Sequence, residues 1–124
     1  MKKGLGKRVW LFPDGLRPEE GEYEEKGHEA IMILNTSDSL ADIRLTMYFE
    51  DEPPQQDRKI VVGARRVRCL RTNKAEDMGG TVPAYNKKYA MLFESSVDVV
   101  MQYGVLDPSN RPRHLYTVMG YPCE

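Results

Sequence analysis

An antiparallel β-sandwich of about eight or nine short strands, with little helix, is the fold class this sequence predicts, and three observations carry it. Ten Gly and eight Pro are spread along the 124 residues, which favours frequent turns over long helices. Ile43, Leu45, Met47 and Phe49 alternate with Arg44, Thr46, Tyr48 and Glu50, a period of two that a helix would replace by spacings of three and four. Several more runs rich in β-branched and aromatic residues are divided by turn clusters at short intervals, the pattern of sandwiches and barrels. The length fits a single domain over 1–124, large enough to bury about two thirds of its unfolded surface without a metal or disulfide staple.

In chain order, Val9 to Phe12 is the opening strand. Between Asp14 and Glu29 the acidic residues crowd around Gly21 and Gly27 with little apolar content, which predicts an exposed acidic loop. His28 to Asn35 is apolar on both parities and ends in the turn cluster Asn35-Thr36-Ser37-Asp38-Ser39, so it is expected as a central strand with a hairpin into the alternating strand at Ile43. Arg58 to Val62, a Gly63-Ala64 turn and Arg65 to Leu70 read as a second hairpin, with Val67 and Cys69 facing inward and a basic stripe from Arg58 to Lys74. Asn73 to Lys88, with Gly79-Gly80 and Pro83, reads as a long loop with at most one short helical turn near Ala75 to Met78. Tyr89 to Ser95 and Asp98 to Leu106 follow as two strands. Asp107 to Asn110 is a turn, and Leu115 to Tyr121 is the last strand.

Composition narrows the function. The chain is 40% hydrophobic and 30% charged, with a formal net charge of -1, so the global basic footprint of a nucleic-acid binder is missing. Cys69 and Cys123 stand far apart, in no metal-ligand or CxxC spacing, and are expected as reduced thiols of a cytoplasmic protein. The basic start is followed by too short an apolar run for a signal peptide, and no stretch approaches the ~20 apolar residues that span a bilayer. No cofactor or metal is expected. A site joining His28 and His114 would need the fold to unite them.

Enzyme motifs are scarce: there is no phosphate-binding glycine loop, HExxH or GxSxG. His28 and Glu29 are strand neighbours that point to opposite faces and so are poorly placed to act on one atom; the plain reading is a strand-entry histidine beside an exposed glutamate. Arg65-Arg66 can grip a carboxylate or phosphate bidentately, or keep a strand edge charged. Gln102 and Tyr103 interrupt an apolar strand and need hydrogen-bond partners if buried. Trp10 suits either the core or a stacking platform for a sugar ring.

Taken together, Gly6-Lys7-Arg8-Val9-Trp10, His28-Glu29 leading into Ile33-Leu34-Asn35, Tyr48 before Asp51, Ala64-Arg65-Arg66, and Gln102 with Leu106-Asp107 resemble the sensory-rhodopsin transducer family over nearly the whole chain. The resemblance implies a small cytosolic antiparallel sandwich that assembles as a homotetramer, is not known as an enzyme, and serves signalling by binding a small, carbohydrate-like molecule. It marks Trp10, His28, Glu29, Asn35, Arg65, Arg66, Gln102 and Asp107 as pocket or interface residues, with His28, Arg65, Arg66 and Gln102 expected around one polar cleft. The rival reading is a protein-interaction adaptor that docks an acidic partner on the 58–74 stripe. Acidic and basic segments on one chain also permit a salt-sensitive head-to-tail ring.

Overall fold

Residues 3–21, 26–107 and 114–124 are described by the computed structural model, apart from the His114 side chain. They form eight strands: β1 (Lys7–Leu16), β2 (His28–Asn35), β3 (Ala41–Phe49), β4 (Gln55–Val62), β5 (Arg66–Arg71), β6 (Lys88–Asp107), β7 (His114–Met119) and β8 (Tyr121–Cys123). All the strand pairings are antiparallel. No helix of the described residues is long and apolar enough to cross a membrane.

β6 organises the rest. Its first half pairs β1 and β3, giving a five-stranded sheet in the order β4-β3-β6-β1-β8. From Val100 onward it pairs β2 and β7, and β5 completes a four-stranded sheet on β2. The two expected strands at Tyr89 and Asp98 are therefore one strand of 20 residues. Ser95 and Ser96 lie within it, with no turn between the halves. Beside them, between Lys7 and Val9, the register of β1 shifts, and such irregularities bend and twist a strand pair, here where β6 passes from one sheet to the other.

The shared strand also corrects both expected hairpins. β2 and β3 are consecutive yet lie in different sheets, as do β4 and β5. Their short connections are corners that carry the chain across the sandwich, because each strand finds better apolar pairing with β6 or its neighbours than with the strand next in sequence. The last strand is likewise broken, since β7 pairs β6 and β8 pairs β1 on either side of Gly120. The 58–74 basic stripe is thus divided between two sheets. The helical turn near Ala75 is present, with Met78 N–H donating to Lys74 and Ala75 carbonyls at 3.2 and 3.1 Å. The acidic segment is described only in part: Asp14 lies in β1 and Glu29 in β2, and residues 22–25 lie outside the described residues, as does the turn at 108–110.

The core follows the pleat. Ile43, Leu45 and Met47 of β3 face Ile31 and Ile33 of β2 across the sandwich and join one cluster with Phe93, Met91, Val99 and Met101. Each such fully buried side chain contributes roughly 1.5–3 kcal/mol of transfer free energy. Phe12 links the sheets, with its ring edge on Phe93 at 5.8 Å and a tilted contact to Tyr103 at 6.3 Å. Val67 and Cys69 point outward and are exposed, contrary to expectation. On β5 the even positions face the core, where Leu70 is fully buried, while Arg68 turns aside to donate to the Val61 carbonyl at 2.7 Å and to pair with Asp77.

Gly15 has a packing role. A Cβ there would stand 2.8 Å from the ring of Tyr89, so only glycine lets β1 lie directly over that buried ring. We expect Gly15→Ala to lower the unfolding free energy by about 1–3 kcal/mol through overpacking, whereas Gly63→Ala, whose Cβ would meet nothing nearer than Arg66 Cγ at 3.5 Å, should stay within about 0.5 kcal/mol of the parent. Urea titrations of the two variants compare them; equal midpoints would remove the steric argument.

Candidate functional site

Glu29 is fully buried, which corrects its reading as an exposed strand residue. A run that is apolar on both parities does not say which face the single carboxylate takes; β2 turns it inward. A lone buried carboxylate is prohibitively costly, and Glu29 escapes that cost by accepting four hydrogen bonds. Oε1 takes the Thr72 hydroxyl at 2.9 Å and the Tyr89 hydroxyl at 2.8 Å. Oε2 takes the Leu16 backbone N–H at 3.0 Å and the Tyr103 hydroxyl in a short contact. The backbone adds a fifth tie, Thr72 N–H to the Glu29 carbonyl at 3.3 Å. β1, β2, the segment after β5 and both halves of β6 thus meet at one side chain.

Burial, and then the neighbouring Glu29 charge, hold the Tyr89 and Tyr103 hydroxyls well above the ordinary tyrosine value of 10.0. Both therefore remain donors across the physiological range. Among the described residues no Lys or Arg forms an ion pair with Glu29, so hydroxyl and amide dipoles alone solvate the carboxylate. The unmet polarity of Tyr103 was legible in its apolar strand. Tyr89 and Thr72 gave no comparable signal.

A second network surrounds Asn35, also fully buried. Its Nδ2 donates to the carbonyls of Ser39, Gly63 and Val62 at 2.8, 3.1 and 3.3 Å. Its Oδ1 accepts the N–H and hydroxyl of Ser37 at 3.0 and 2.7 Å. Arg65 N–H closes the lattice on the Ser37 carbonyl at 2.9 Å. The β2–β3 and β4–β5 corners are pinned together, and Arg65 is held there at a left-handed φ of 55°. The side chains of Arg65 and Arg66 stay exposed, so the corner presents two guanidinium groups on a fixed backbone.

The other residues singled out from the sequence scatter. Trp10 is a core residue whose Nε1–H donates to the Lys7 and Val99 carbonyls, both at 3.0 Å, so its ring offers no stacking platform. His28 stands at the start of β2, its Nδ1 bonded to the Lys26 carbonyl at 2.9 Å. Arg66 pairs with Asn35 at the far end of that strand, about 23 Å away at 3.3 Å per residue. Gln102 lies between them on the outer face of the four-stranded sheet, opposite Met32 and Met119. Asp107 ends β6 opposite His114. The expected common cleft around His28, Arg65, Arg66 and Gln102 is therefore not formed within one chain. No group of three possible metal-binding side chains occurs among the described residues, and the His28–His114 idea depends on a side chain outside them.

The outer face of the four-stranded sheet carries a feature that the alternation did not announce. Register places Val67, Leu34 and Val100 in one row and Cys69, Met32, Gln102 and Met119 in the next. Val67 is 66% exposed and Met119 55%. Sheet faces turned to water are ordinarily polar, and a contiguous apolar patch marks an interaction surface.

The family model described as Anabaena sensory rhodopsin transducer matches residues 5–122. Among solved structures, the Thermotoga maritima protein 1070 superposes with a TM-score of 0.84 at 35% identity, over 96% of this chain and 97% of that one. The Anabaena sensory rhodopsin transducer superposes with a TM-score of 0.70 at 26% identity, over 82% and 91%. No curated protein matches.

The tyrosine pair fixes an alkaline limit. In the unfolded chain both hydroxyls ionise near 10 while the folded chain keeps them protonated, so above that pH the native state binds more protons and loses stability as pH rises. Between pH 7 and 9 the two tyrosines should add no slope to the unfolding free energy. Above pH 10 the two tyrosines should add a downward slope of about 1.4 kcal/mol per pH unit each. Tyr103→Phe should cost about 1.5–3 kcal/mol at neutral pH and remove one of the two slopes. Denaturant titrations across pH 7–11 read both quantities; an unchanged slope in the variant would disprove the assignment.

Proposed function

The chain belongs to the Anabaena sensory rhodopsin transducer family, and from that premise we propose that it is a cytoplasmic, non-enzymatic signalling module that acts by protein contact. The observation that carries this reading is the Arg65–Arg66 corner, exposed yet locked through Arg65 N–H and Asn35. The corner's backbone is already ordered, so only the side-chain rotamers remain to be fixed when a guanidinium fork binds a carboxylate bidentately, which suits an acidic surface on a protein partner. The named relative is a transducer of a sensory rhodopsin; for this chain the partner is carried over only as a signalling protein.

The same reading includes a closed homo-oligomer, a tetramer by family resemblance. The apolar rows of the outer face, with Leu34, Val67 and Met119, support it, since burying such rows is what drives stable association. Contacts of this kind are insensitive to salt, unlike the charge-held ring that the sequence suggested. A carbohydrate-like ligand bound by His28, Arg65, Arg66 and Gln102 would need residues from more than one chain, given their separation along β2.

Sedimentation of the full chain at micromolar concentration should give an oligomer that persists in 1 M salt, and Leu34→Lys should dissociate it. A monomeric parent would end the oligomer reading. Arg65→Glu with Arg66→Glu should leave oligomer and melting temperature unchanged while abolishing photo-crosslinking to the partner in native extracts. Retained crosslinking would refute the docking corner.

A further inference from the structure

A cleft of about 380 Å³ opens where β7 turns into β8 beside β1. Its walls are the rings of Phe12, Tyr103, Tyr116 and Tyr121, drawn from four different strands, with Asp14 at the rim and Gly120 at the corner. We propose that this cleft binds a small, flat aromatic or heteroaromatic molecule that carries an N–H or O–H donor and no negative charge.

Size, wall chemistry and charge each narrow the occupant. The volume lies at the small end of ligand pockets, enough for one or two fused rings. Four aromatic walls favour a flat partner, because rings gain from offset and edge-on stacking beyond simple area burial. They disfavour a polyol, each of whose hydroxyls needs both a donor and an acceptor. The rim charge is the Asp14 carboxylate, which already accepts Lys88 Nζ at 2.6 Å, and no Lys or Arg is among the lining residues. Lys88 offsets the Asp14 charge from outside the lining, so the lining holds no cation to pair with an anion, while its one carboxylate can still accept from a donor.

The cleft is built and not incidental. A Cβ on residue 120 would stand 2.6 Å from the Phe12 ring, so glycine lets the β7–β8 corner close against that wall. Tyr103 is held from behind by its hydroxyl bond to Glu29, which fixes the floor. Tyr116 and Tyr121 are 52% and 68% exposed, an unpaired aromatic rim for a chain that otherwise buries Phe12 and Phe93. This site shares no residue with the arginine corner and meets the outer face only at Met119, which belongs to both, so it stands or falls apart from the docking corner.

The test is a titration of the full-length protein with indole, followed by amide NMR shifts, with glucose and benzoate as comparators. Indole should saturate with a Kd of about 1 mM or tighter, moving the amides of Phe12, Tyr103, Tyr116 and Gly120, while glucose and benzoate move none of them. Tyr116→Ala should weaken indole about five- to tenfold with the melting temperature unchanged. If that variant does not fold, Tyr121→Ala reads the same loss. Failure of indole to saturate, shifts confined elsewhere, equal binding of glucose or benzoate, or undiminished affinity in a folded variant would each overturn the proposal.

Discussion

A single buried carboxylate constrains most of this molecule. Among the described residues no cation pairs with Glu29, which is tolerable because Thr72, Tyr89, Tyr103 and the Leu16 amide all aim at its two oxygens. Losing one donor leaves a buried charge under-solvated, which is far worse than losing an ordinary hydrogen bond. The demand reaches outward. Tyr89 must lie flat beneath β1, so position 15 must lack a side chain, and the segment after β5 must return to bring Thr72 within reach.

The placement of strands was legible in the sequence, and their partners were not. Alternation at Ile43 to Phe49 gives a strand and its buried face directly, since one parity is apolar. Pairing depends on residues far away: β2 and β3 look like a hairpin because a turn cluster lies between them, yet both prefer opposite halves of β6. Val67 and Cys69 depart from expectation for a related reason. Hydrophobicity alone assigns them inward, but the parity of β5 is set by Leu70, and the outer face they occupy is itself apolar.

The residues that matched the family pattern divide into two kinds. Trp10, Glu29 and Asn35 are internal, each satisfying backbone or side-chain groups that the fold would otherwise strand. Arg65, Arg66 and Gln102 reach the surface, at a corner and on a sheet face. A sequence pattern records both without distinction, because a buried polar residue with several partners is as tightly specified as one that meets a ligand. The aromatic cleft is not legible in the sequence because Phe12, Tyr103, Tyr116 and Tyr121 are scattered through the chain and converge only when β7 and β8 join different sheets.

The position of β6 late in the chain bears on how the protein is made. Among the described residues β1 pairs with β6 and β8 alone, and β2 and β3 each leave one edge open until β6 arrives. A chain emerging from the ribosome therefore carries more than 80 residues, including its most apolar strands, before the hub at Lys88–Asp107 exists to receive them. Unpaired apolar edges of that kind are prone to wrong association. Biosynthesis, more than the stability of the finished sandwich, is where this topology exposes the protein to aggregation, and rapid completion of β6 or shelter by a chaperone is the corresponding requirement.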